Sequence, residues 1–299
     1  MALTPLGSVA VPPFHASAFD HGDVHLATGR IFVAHTAGDS VEVVDSEGRT
    51  HVKTIPGCPE ASGVLCVQDA GIVFAAARGA GRILVIDAAS LAVVREVASG
   101  PRPNGLAWDE RRGRLLAADV AELSARLLNP ATGDCVGQLE LPGRPRWCVY
   151  DPDGDQFLVN IREPACVALL TPEPFALAGR WPVSTDGPHG LDLDSEGRRA
   201  FVASDGGKVA ALDLGTGEEV AEVSIAGAPD AIWYNAERQL LYVAIGKPGL
   251  VDVIDTTGMT RSDQLVTEAG AHTTAFDRVR QVLAVFLPGG CRAALYHQE

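Results

Sequence analysis

The chain has 299 residues, 46% apolar and 21% charged, with 32 Gly and 19 Pro, which excludes a disordered polymer and fits a globular protein with many tight turns. Its 24 Lys and Arg against 38 Asp and Glu give a formal net charge of -14. Such a surface repels the phosphate backbone that dominates nucleic-acid affinity, so no nucleic acid is expected as a partner.

The first residues, Met1 to Gly7, lack the basic segment and apolar stretch of a signal peptide. No later run reaches the length of a membrane span, and the chain reads as cytoplasmic with no membrane partner. Six cysteines, at 58, 66, 135, 148, 166 and 291, form no Cys-x-x-Cys pair and read as free thiols, with Cys58 and Cys66 the one sequence-close pair.

In chain order, Gly7-Ser8-Val9-Ala10-Val11, ahead of Pro12-Pro13, is the first strand signal. Ile31-Phe32-Val33-Ala34-His35 and Ser40-Val41-Glu42-Val43-Val44-Asp45 follow, the second ending on Asp before a turn. That ending returns in Arg82-Ile83-Leu84-Val85-Ile86-Asp87, in Lys208-Val209-Ala210-Ala211-Leu212-Asp213 and in Leu250-Val251-Asp252-Val253-Ile254-Asp255. A second marker opens the units: Pro103-Asn104-Gly105-Leu106, Pro145-Arg146-Trp147-Cys148, Pro188-His189-Gly190-Leu191 and Pro229-Asp230-Ala231-Ile232, whose prolines are 42, 43 and 41 residues apart. A period near forty with four short strands per unit is that of a β-propeller blade.

The units run 15-58, 59-102, 103-144, 145-187, 188-228 and 229-270, and 271-299 has room for only three strands. Residues 7-11 match the fourth-strand pattern and are expected to complete that last blade, closing the ring and removing its exposed edges. The fold class expected is all-β, one seven-bladed β-propeller domain over 1-299 with four-stranded antiparallel blades.

Ile31-Phe32-Val33-Ala34-His35 with Asp39-Ser40-Val41-Glu42-Val43-Val44-Asp45, and Leu241-Tyr242-Val243-Ala244 with Val251-Asp252-Val253-Ile254-Asp255, resemble the YVTN-type repeats of seven-bladed propellers. The resemblance spans nearly the whole chain and implies the fold. The wider group it points to includes lactonases, lyases, redox-enzyme domains and binding proteins, and none of their catalytic signatures maps onto this sequence residue by residue.

The loops leading into the inner strands and the loops joining second to third strands are expected on one face. The lead-in positions are Asp20 with His21, Glu60 to Ser62, Asn104, Arg146, His189, Asp230 and His272, and the other loops add His35, Arg78, Asp119, Arg162, Asp205 and Lys247. A ring of donors, acceptors and titratable groups is what a small-molecule site requires. Arg78, Arg146 and Arg162, with Asn104 and Asp119, form the expected substrate-binding side, since guanidinium forks hold carboxylate or phosphate. The competing reading pairs these arginines with Asp119, Glu163 or Asp205 as blade ties. His189 and His272, with Asp230 between them in blade order, are the expected acid–base group, against hydrogen-bonded channel histidines without chemistry.

A bound divalent metal ion would draw on His21, His35 and His272, with His15 and Asp20 as further candidates. Trp108, Trp147 and Trp233 recur on the inner strands, as an aromatic wall or as packing between blades. Asp151-Pro152-Asp153-Gly154-Asp155 has calcium-loop composition but no glutamate at the twelfth position, and it aligns with the turns of other blades. No nucleophile elbow, phosphate loop or dinucleotide fingerprint occurs.

Two functions therefore stand. One is an enzyme of lactonase-like hydrolase or lyase type on a small anionic or oxygen-rich metabolite. The other is a propeller that binds a metabolite or protein partner without turnover.

Overall fold

The computed structural model describes residues 3–14 and 17–299; His15 lies outside them. Seven four-stranded antiparallel sheets follow one another around a ring, a seven-bladed β-propeller. The first complete blade comprises Phe19–His25, Arg30–His35, Ser40–Asp45 and Thr50–Pro56, and five more repeat its order. The seventh has Thr273–Asp277, Val282–Leu287 and Arg292–Gln298 from the end of the chain and takes Leu3–Ala10 as its outer strand. The closing strand is longer than the sequence pattern indicated. It starts at Leu3, pairs that residue with Gln298 and shifts register between Pro5 and Gly7.

Burial along a blade follows from the stacking of blades. The two middle strands are covered on both faces by neighbouring blades, so Arg199–Ser204 and Lys208–Asp213 are continuous small and apolar runs. The outer strand Glu219–Ser224 has no buried residue, which explains its alternating polar sequence. Phe32, Phe74, Phe201 and Tyr242 take the same second-strand position in blades one, two, five and six, as their register with Asp23, Leu65, Asp192 and Trp233 shows. All four are fully buried, so each of these four blades presents one large ring to the interface with its neighbour.

The two helical pieces among the described residues, Thr36–Gly38 and Arg78–Ala80, are single turns in the loops between second and third strands. Among the described residues no helix is long and apolar enough to cross a membrane. All six cysteines are free, and five are buried. Asp151 is a turn residue: its carboxylate accepts the Asp153 amide proton and faces Arg198 of the next blade at 3.0 Å.

One irregularity sets up the site. In blades one to six the pairing of inner and second strands slips just after the lead-in residue, for example between Pro145 and Cys148 and between Pro229 and Ile232. A bulge at the end of a strand turns its side chain out of the pleat. In blades one, three, four, five and six the lead-in residue within the slip lines the cavity described below.

Candidate functional site

Six of the seven lead-in residues, Asp20, Asn104, Arg146, His189, Asp230 and His272, line one polar cavity of about 80 Å³ at the upper mouth of the bore. Arg78 joins them from its loop, and His21 with Trp147 closes the floor. The seventh, Ser62, turns away and donates to the carbonyls of Pro103 and Ala76.

A chain of alternating charge crosses the mouth from blade four to blade seven. Arg162 meets Asp205 at 2.8 Å, and the other oxygen of Asp205 accepts from His189 Nδ1 at 3.1 Å. His189 Nε2 stands 3.3 Å from Asp230 Oδ1, and Asp230 Oδ2 stands 3.7 Å from His272 Nε2. Burial disfavours charge on His189, but the facing Asp230 and the hydrogen bonds to Asp205 and Asp230 outweigh it and push its pKa up to about 9. Burial likewise opposes charge on Asp230, and the His189 imidazolium holds its carboxyl well below the usual range. At neutral pH His189 is thus an imidazolium with both nitrogens engaged, and Asp230 a carboxylate.

The three arginines part company. Arg78 donates to Asn104 at 2.9 Å and faces Asp20 at 3.3 Å. Arg162 is 43% exposed, pairs with Asp205 and sits in an open groove between blades four and five, outside the polar cavity. Arg146 alone has no carboxylate within ion-pair distance among the described residues, and its buried Nε has no hydrogen-bond partner. Burial, with Arg144 and Arg162 nearby, lowers its pKa. The expected three-arginine anion site therefore reduces to one free guanidinium, and the tie reading describes Arg78 and Arg162.

Asp119 is also elsewhere. It is 1% exposed and accepts the backbone N–H groups of Arg102, Ala121 and Glu122, which makes it the cap of its own turn. Its spacing matched the loop residues of other blades, but an Asp ending a strand satisfies the turn amides first.

His35 does not meet His21 and His272. It is fully buried beside Phe19, with Nε2 2.5 Å from Ser17 Oγ and Nδ1 3.4 Å from Glu42 Oε1. His21 and His272 do share the polar cavity, but among the described residues no three His, Cys, Asp or Glu side chains gather as a metal-ligand group. Of the histidines expected to hold a divalent metal, His21 and His272 come together and His35 does not, while His15 lies outside the described residues.

The floor was not anticipated. One residue past the lead-in, blades two, three and five carry Gly63, Gly105 and Gly190, where a Cβ would run into the carbonyl of Asn104, Arg146 or Asp230 of the next blade. Blades one and four carry His21 and Trp147 instead. Their rings stack at 4.1 Å and 7°, and Trp147 Nε1 donates to Asp230 Oδ1 at 3.3 Å. Burial lowers the pKa of His21, keeping it a neutral ring against the indole. Below the pair lies a second chamber of about 570 Å³, which His21 and Trp147 also line.

No protein-family model matches the chain, and no curated protein matches it in sequence.

Proposed function

We propose that the upper mouth is the working site of a small-molecule enzyme, a hydrolase or lyase of lactonase-like type acting on an anionic or oxygen-rich metabolite. Arg146 carries this reading: a largely buried guanidinium without a counter-ion, opening onto a cavity beside an imidazolium, is a place for a carboxylate or a developing oxyanion. The geometry supports one assignment of roles. Arg146 receives the anionic oxygen, His189 gives its proton to a departing oxygen, and His272, at the open edge with 36% of its side chain exposed, takes a proton from water or substrate carbon. Asp230 lies between the two histidines and Asp205 behind the first, positioning both rings. The resemblance to YVTN-type repeats agrees with this chemistry without assigning a residue.

A second reading has its own observation. His189, with Asp205 on one nitrogen and Asp230 on the other, has no lone pair with which to accept a proton. A site that only holds an anionic metabolite needs no more than this.

One pair of experiments separates the two. Citrate, phosphate and sugar acids are expected to raise the melting temperature in a dose-dependent way, and Arg146→Ala to abolish the rise. A panel of lactones and esters is expected to show turnover that His272→Gln removes. A stabilising anion without turnover establishes the binding reading, and the absence of any Arg146-dependent shift defeats both.

A further inference from the structure

The lower chamber is built from different chemistry, and its argument is independent of the upper site. Four carboxylates, Asp23, Asp69, Glu110 and Asp192, line it against one guanidinium, the exposed Arg278 at the rim. Trp108, Trp147 and Trp233 supply aromatic surface, with the last two rings meeting edge-on at 6.1 Å. Its volume, about 570 Å³, falls within the range of about 300–1,000 Å³ of ligand pockets, which are mainly apolar with a few placed polar groups.

Asp23 and Asp192 are those placed groups. They take the same inner-strand position in blades one and five, opposite Phe32 and Phe201, where blades two, three and four carry Leu65, Ala107 and Val149. Each is held rigidly. Asp23 accepts the N–H groups of Val24 and Cys66, both at 2.7 Å, and Asp192 those of Leu193 at 2.8 Å and Tyr234 at 2.6 Å. One backbone bond per oxygen ties each blade to the next and leaves a second acceptor direction free on every oxygen. No side-chain cation of the protein meets either carboxylate within ion-pair distance among the described residues. Two fixed, uncompensated carboxylates among indole faces form a receptor for an organic cation, through charge-assisted hydrogen bonds and cation–π contact.

We propose that the lower chamber is a second ligand site, taking a small organic ammonium ion with an apolar or aromatic body, its charged head between Asp23 and Asp192 and its body on Trp108 and Trp233.

Phenethylammonium and its neutral counterpart 2-phenylethanol test this by calorimetry and tryptophan fluorescence on the full chain. The amine is expected to bind at least ~10-fold more tightly than the alcohol, and Asp192→Asn to erase most of that preference. Arg278→Ala, which removes a competing cation from an exposed position, is expected to tighten amine binding by ~2- to 5-fold, and it keeps the test open should Asp192→Asn fail to fold. Arg146→Ala, at the other end of the bore, is expected to leave amine binding unchanged. Equal affinity for amine and alcohol, no amine binding, or no response to Arg278→Ala overturns the proposal. So does loss of amine binding in Arg146→Ala, while failure of the anion experiments leaves it standing.

Discussion

Above the His21–Trp147 pair the bore is a narrow polar cavity, in which Arg78, Arg146 and the His189 imidazolium face Asp20 and Asp230. Below it the bore widens, gains indole walls and holds four carboxylates against one arginine. The inner strands of blades one, three, four, five and six line both ends, a few residues apart along each. The difference shows that in a propeller one position of the repeat can be shared out as a palette: seven equivalent backbone sites carry seven independent side chains, and the character of a chamber is the set chosen. Backbone geometry supplies convergence, and the residues supply sign.

The largest test of this picture removes what both chambers require. Deleting residues 1-10 takes away the outer strand of blade seven and uncovers the edge of Arg292–Gln298. The melting temperature is expected to fall by ~10 °C or more, with aggregation on heating, corresponding to several kcal/mol in a chain of this size. Unchanged melting would mean that the ring holds without its latch.

Merging the chambers comes next. Trp147→Ala deletes a ring packed on His21 and bonded to Asp230, with an expected cost of about 3 kcal/mol or more in chemical unfolding. The variant is also expected to lose the distinction between the ends, so that binding of an anion above depends on Asp23 below.

The ends should also respond to pH in different windows, both losing stability as pH rises. The folded pKa of His189 is raised from 6.5 to about 9, so its contribution is fully present below 6.5 and lost as pH rises through about 9. Asp23 is raised by burial from 3.8 to about 6, so the folded state holds its proton more tightly, and that contribution is present in acid and lost as pH rises through about 6. At 1.36 kcal/mol per unit, Asp23 is worth at most about 3 kcal/mol and His189 at most about 3.5 kcal/mol. Unfolding free energies of His189→Gln and Asp23→Asn, subtracted from wild type across pH 4 to 9, should locate one step above neutrality and one below. Two steps on the same side would break the contrast.

The smallest expected effect belongs to Arg162. Its pair with Asp205 is largely solvated, and Arg162→Ala should cost about 0–1 kcal/mol and leave anion stabilisation intact.

The repeat made much of this legible. Prolines at 103, 145, 188 and 229 mark the blade period, and counting units forward leaves 271-299 one strand short, which places the N-terminal strand in the last blade. The lead-in ring was readable for the same reason, since Asn104, Arg146, His189, Asp230 and His272 hold equivalent positions. Asp119 and His35 were misplaced because loop position alone does not say which way a side chain turns. Asp119 closes on its own backbone, and His35 is drawn inward to Ser17 and Glu42. The floor had a signal that went unused: Gly at 63, 105 and 190 against His21 and Trp147 marks the two blades with a side chain to spare for the bore. Asp23 and Asp192 carried a similar one, as polar residues where the pattern has Leu65, Ala107 and Val149.

The pairing of Leu3 with Gln298 has a mechanical consequence. The two strands run antiparallel, and the first residue of one lies beside the last of the other. A force applied at the two ends of the chain would therefore pull across the strands, loading their hydrogen bonds one at a time from Leu3 toward Ala10, as a zipper is opened. Pulled along the strands, the same bonds would share the load in shear. The seam that completes the circle is thus least resistant to tension between the chain ends, where it can be undone rung by rung.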